Sequence, residues 1–109
     1  MAEDEDADGR FDYREIDDLI HGRVRLAVMA YLSGAKSADF ADLKHHAKVT
    51  DGNLSVHLRK LEDAGYVRVE KTFVDRKPLT VAHMTAEGRE AWIGYLDNLK
   101  AMLGEGGRL

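Results

Sequence analysis

Hydrophobic positions in this chain change period twice, and the changes divide it into helical and extended segments. From Thr50 to Val67 the sequence reads TDGNLSVHLRKLEDAGYV. Leu54, Leu58 and Leu61 recur at i, i+4 and i+7, which places them on one helical face. At about 100° per residue the opposite face carries Gly52, Val56, Arg59 and Asp63, with Asn53, Ser55 and Lys60 on its flanks. Thr50 is a suitable N-cap, because its hydroxyl accepts a free N–H of the first turn. Gly65 ends the helix, since glycine adopts a left-handed conformation at little cost. The run VRVEKTFV then alternates, with Val67, Val69 and Phe73 on one side and Arg68, Glu70 and Thr72 on the other, which predicts a half-buried strand. Asp75-Arg76-Lys77-Pro78 predicts a turn with two positive charges at its tip, and Leu79 to Met84 a returning strand. Thr85 caps a last helix, Ala86 to Leu103, whose Trp92, Leu96, Leu99 and Leu103 repeat in a heptad-like stripe.

Upstream, Ile16, Leu19 and Ile20 predict a first helix beginning near Phe11; Phe11–Leu32 can be one helix or two, with Gly22 favouring a break near His21. Val24, Ala27, Val28, Tyr31 and Leu32 predict a second helix, stopped by Gly34. Ser37 is expected to cap a short third helix with Phe40, Leu43 and Ala47 inward and Lys44, His45 and Lys48 outward. Its link to the Thr50 helix is only Lys48-Val49-Thr50, so the two make a helix-turn-helix. The expected class is therefore mainly α with a small β-hairpin (α+β). Residues 1–10 are expected to be a disordered acidic tail, 11–103 one domain and 104–109 a flexible tail.

Charge changes this picture once it is divided along the chain. The net charge of −4 is unlike a nucleic-acid binder. Residues 1–18, however, hold nine acids against two arginines, a net of −7, and residues 19–109 hold eleven acids against fourteen Lys and Arg, a net of +3. The surface beyond the tail is weakly basic, which is compatible with a phosphate backbone. A chain of 109 residues is one domain, small enough to gain from dimerisation. The absence of cysteine excludes disulfides and thiolate chemistry and fits a reducing cytoplasm. No apolar run approaches the roughly 20 residues of a membrane span, and the acidic start has the wrong charge for a signal peptide.

Two motifs resemble the winged helix-turn-helix regulators of the MarR/ArsR type, and the short stand-alone winged-helix DNA-binding domains more closely. They are NLSVHLRKLEDAGYV at 53–67 and RKPLTVAHMTAEGREA at 76–91, and the resemblance spans roughly residues 16–100. It implies a winged helix-turn-helix with an N-terminal helix and a long C-terminal dimerisation helix. It also implies a homodimeric, sequence-specific transcriptional regulator of double-stranded DNA, most simply a repressor. Asn53, Ser55, Val56 and Arg59 would meet base edges and nearby phosphates, with Thr50 and Lys60 beside them and Gly52 allowing close approach. Arg76 and Lys77 would reach the flanking minor groove or its phosphates, and Ser37 and Lys44 would hold the backbone. Ala82 stands where the family often has an aromatic, which is expected to loosen the wing. Ile16, Leu19, Ile20, Trp92, Leu96, Leu99 and Leu103 would form the dimer seam, the alternative being that the terminal stripe only caps the core.

Other chemistry is thinly supported. His45 and His46 are adjacent and diverge by about 100° on a helix, a poor chelate, and His21, His57 and His83 fall in different elements. The last helix has no histidine, unlike ArsR-like metal sensors. His57 lies beside the leucine stripe and is expected to be a packed, hydrogen-bonded residue rather than a base reader. No phosphate loop or nucleophile triad is present, so neither an enzyme nor a cofactor or metal is expected, and whether a small-molecule effector binds is left open by the sequence. The remaining alternative is a winged-helix module that docks a protein through the same face.

Overall fold

The structure is a computed structural model, and it describes residues 16–104. Among these the order is α1 (Arg23–Ala35), β1 (Ser37–Asp39), α2 (Phe40–Ala47), α3 (Asp51–Asp63), β2 (Val67–Val74), β3 (Lys77–Met84) and α4 (Ala86–Met102). The helical spacing of Val24, Val28 and Leu32 puts one face of α1 into the core, where it meets Leu43 and Ala47 of α2, Leu54, Leu58 and Leu61 of α3, and Trp92 and Tyr95 of α4. Val67 and Ala82 close that core from the sheet.

Two helix ends behave as their residues predict. Thr50 Oγ1 accepts the Asn53 N–H at 3.2 Å, and Thr85 Oγ1 accepts the Gly88 N–H at 2.8 Å. At the far end of α3, Gly65 has φ +83°. Its N–H bonds Glu62 O at 2.9 Å while the Tyr66 N–H bonds Leu61 O at 3.0 Å, a Schellman closure that turns the chain directly into β2.

Several expectations need correction. The sheet has three strands in the order β1-β3-β2, all antiparallel, not a lone hairpin. Ser37 caps nothing: it lies in β1 opposite His83, and the α2 cap is Asp39, whose Oδ1 accepts the Asp42 N–H at 2.8 Å. A three-residue strand is too short to show a period of two, and its pairing with β3 is non-local. Gly34 does not stop α1, which runs to Ala35 and is closed by Lys36 at φ 71°. The hairpin turn is Asp75-Arg76 alone, both at positive φ (52° and 69°), as a tight two-residue hairpin turn requires. Lys77 and Pro78 already belong to β3, paired with Val74 and Phe73. Phe73 is therefore exposed at the hairpin end rather than half-buried. Ala82 sits in the central strand between Ala38 and Val69 and is 1% exposed, so the root of the hairpin is closely packed.

The expected first helix falls mostly on residues outside those described. Within them, residues 18–22 form a turn. Asp17 organises it: its Oδ1 accepts the Leu19 and Ile20 N–H groups, and its carbonyl accepts the His21 N–H. Both expected tails, 1–10 and 104–109, lie outside the described residues except for Gly104.

Candidate nucleic-acid interface

Helix α3 has one sealed and one open side. Leu54, Leu58 and Leu61 are at most 4% exposed, whereas Gly52, Asn53, Ser55, Val56, Arg59 and Lys60 are all exposed. Val56 is the informative member, since an apolar side chain held 53% open to solvent contributes nothing to this core. No atom of the chain would lie within 4 Å of a Cβ at Gly52, so its own fold does not demand glycine there. The open face is flanked on two sides. Toward the hairpin, Ser55, Arg59 and Glu62 border a groove whose far wall is Val69, Lys71 and Thr80. On the other flank, His57 meets the start of α1.

His57 is hydrogen-bonded and half-buried, as its place beside the leucines predicts. Arg25 Nη1 donates to His57 Nδ1 at 2.7 Å, while Arg25 Nε is bound to the Leu19 carbonyl. Because the guanidinium is only a donor, Nδ1 must be unprotonated and the neutral ring carries its proton on Nε2. Burial lowers the His57 pKa, and the charges of Arg25, Lys60 and Arg23 lower it further. Arg23 in turn donates to the Ala47 carbonyl at the end of α2.

The other sequence-designated residues are dispersed around α3. Lys44, on α2, pairs with Asp51 in the first turn of α3 at 2.8 Å; the pair is exposed and worth under about 1 kcal/mol, so a phosphate can displace the carboxylate. Thr50 is exposed and its hydroxyl is committed to the cap. Arg76 and Lys77 are exposed at the hairpin end. Ser37 is exposed on the edge strand β1, away from the α2–α3 link. Sequence reasoning did not single out Lys71, and it put Phe73 on the face of Val69 as a half-buried strand residue without foreseeing that this end of the face is open to solvent. Among the described residues no group of His, Asp and Glu has the arrangement of a metal site. No described helix is long and apolar enough to cross a membrane.

The expected seam residues divide between core and surface. Ile20 (0% exposed) and Trp92 (9%) are in this chain's own core, and Ile16, Leu19 and Leu99 pack partly against it. Leu96 and Leu103 are exposed, and so is Ile93, which the heptad reading omitted. On α4 the apolar arc is simply wider than the core beneath it. Ile93, Leu96 and Leu103 line its outer edge.

A single small core, a helix-turn-helix with an open second helix and a basic hairpin beside it define a winged helix. Residues 24–103 match the model of the winged helix DNA-binding domain family, and the chain belongs to that family. An uncharacterized protein of Methanocaldococcus jannaschii is 37% identical over 78 residues, covering 72% of this chain and 85% of that protein. The structure of a transcriptional regulator homologue from Pyrococcus horikoshii OT3 superposes with a TM-score of 0.73 at 35% identity, over 78% of this chain and 84% of that one. A MarR-family transcriptional regulator from Silicibacter pomeroyi shares the fold at a TM-score of 0.58 and 24% identity, over 83% of this chain and 62% of its own. The family is one of DNA-binding domains, not of enzymes.

Proposed function

We propose that this chain is a sequence-specific regulator of transcription, probing double-stranded DNA as a homodimer and acting as a repressor in the cytoplasm. The observation that carries the reading is the open face of α3. Asn53, Val56 and Arg59 stand on a helix whose other side is locked by three buried leucines and whose two ends are both capped. Such a helix loses little freedom on entering a major groove. Arg59 is suited to guanine, Asn53 to adenine and Val56 to a thymine methyl. Lys44, Lys60, Arg76 and Lys77 would meet phosphates on either side, and Ser37 would take a more peripheral backbone contact. The exposed Ile93, Leu96 and Leu103 support pairing of two chains through α4, which suits a pseudo-palindromic site with one α3 per half-site.

The test begins with selection of bound duplexes from a random pool, followed by titration of a selected and a scrambled duplex over a salt series. The log–log slope should steepen by roughly 0.9 for each phosphate neutralised. Arg59→Ala should cost about 1–3 kcal/mol on the selected duplex and relax preference at one base pair per half-site. Its melting should move by less than about 0.5 kcal/mol, because Arg59 is exposed. Equal losses on both duplexes would reduce Arg59 to a phosphate contact. An Arg59→Ala protein that melts normally and binds both duplexes like the parent would refute the role of α3, and a protein partner would then be the better reading.

A further inference from the structure

Phe73 is 70% exposed, more than any other large apolar side chain among the described residues, and nothing in the preceding reading uses it. Its direction follows from register. Val69, Lys71 and Phe73 share one face of β2, and Ala82, Thr80 and Pro78 stand opposite them on β3. The root of this face, at Ala82, is in the core. Its middle, at Lys71 and Thr80, walls the groove bordered by Arg59 of α3. Its outer end is the Phe73–Pro78 pair. The face that starts beneath α3 therefore continues past it and ends in an apolar pair on the side where α3 is open.

The surroundings of that pair are basic. Across residues 71–78, KTFVDRKP, there are three cations and one acid, Asp75. Lys71 shares the Phe73 face and Arg76 stands in the turn at its end, while Glu70 and Lys77 lie on the other face of the hairpin, where Glu70 pairs with His83 at 2.9 Å. An apolar centre with a cationic rim matches a minor groove, in which deoxyribose walls and base edges lie between two rows of phosphates. It is a poor match for a second copy of the same tip, whose cations would meet cations.

We propose that Phe73, backed by Pro78, is a DNA-contacting specificity residue. It enters the minor groove flanking the α3 half-site and presses its ring against the sugars at a base step. Flexible pyrimidine–purine steps, whose groove deforms at least cost around the ring, are preferred at that flank. The inference rests on the chain being a duplex binder and adds an apolar contact, independent of salt, to the charged ones.

The experiment compares the parent, Phe73→Ser and Phe73→Leu by selection from a random pool, by titration on the duplex the parent selects, and by sedimentation and thermal melting of the free proteins. Phe73→Ser should lose on the order of tenfold in affinity, the scale of partly burying one aromatic side chain. Its salt slope should match the parent's, because no charge is removed. Preference at the flanking step should vanish while preference under α3 stays, and Phe73→Leu should keep most of the affinity. Phe73→Ser with the parent's affinity and flanking preference overturns the proposal. So does an altered sedimentation coefficient, which assigns Phe73 to self-association, or a lowered melting temperature, which assigns it to the fold. A parent that selects no duplex at all overturns the reading beneath, as distinct from the role of Phe73.

Discussion

At the scale of single residues, the informative side chains tie α3 to the chain before it. Arg25 joins the Leu19 carbonyl to His57 on α3, and Tyr66, just past the α3 closure, donates its hydroxyl to Asp17 Oδ2 at 2.7 Å. That hydrogen bond, with burial and the carboxylate's charge adding to it, pushes the Tyr66 pKa up to about 12. His57 makes the arrangement sensitive to pH. Folding holds its pKa below the ordinary 6.5, chiefly by burial, so the unfolded chain takes up a proton first as the solution is acidified. Stability from this group is fully present above pH 6.5 and is lost as pH falls through the folded-state value. His57→Gln should therefore show a smaller drop in melting temperature between pH 7.5 and pH 5 than the parent. Parallel pH profiles for the two proteins would show that His57 does not carry this dependence.

At the scale of elements, the junction of α3, β2 and α4 is closely packed. Thr85 donates its hydroxyl to the Gly65 carbonyl and its N–H to the Tyr66 carbonyl, holding the start of α4 against the end of α3. A Cβ at Gly88 would come within 2.0 Å of that Tyr66 oxygen, a backbone atom that cannot swing aside. Helix propensity alone favours alanine over glycine by about 1 kcal/mol. Overpacking opposes it by about 1–3 kcal/mol, and at this distance the clash should win. Gly88→Ala is expected to lower the melting temperature, whereas Gly94→Ala, on the same helix with open space around it, should raise it. Calorimetry of the pair decides the matter; a stabilised Gly88→Ala would mean that α4 is free to slide on the Tyr66 turn.

At the scale of the whole molecule, the question is what covers the outer edge of α4. Ile93, Leu96 and Leu103 remain exposed after Trp92 and Tyr95 have filled the core beneath. A second chain is the occupant we propose, and the test must avoid Leu99, which packs partly inward and whose loss would disturb the fold itself. Ile93→Glu with Leu96→Glu should yield a folded monomer by sedimentation. Its affinity for a two-half-site duplex should fall by at least about tenfold, because each half-site is then bound separately. A double variant that sediments as the parent does would exclude this edge as the seam.

The sequence by itself determined what depends on neighbours along the chain. The leucine stripe of α3, its Thr50 and Gly65 ends, the Thr85 cap and the alternation of β2 are all local, and the helix-turn-helix and hairpin follow from them. The open face of α3 was legible for the same reason: a helix whose inner side is known has a known outer side. Tertiary structure decided what depends on distant partners. Ser37–Asp39 is a strand only because β3 offers it an edge, so Asp39 rather than Ser37 caps α2. Ile20 and Trp92 look like their neighbours in a periodic stripe, yet packing against α1, α2 and α3 takes them inward and leaves Leu96 and Leu103 outside. Phe73 has the apolar character of a buried strand residue, but the hairpin outruns the core that would cover it. Periodicity reveals which residues share a face; how far a core extends beneath that face is set by the other elements, and no local pattern records it.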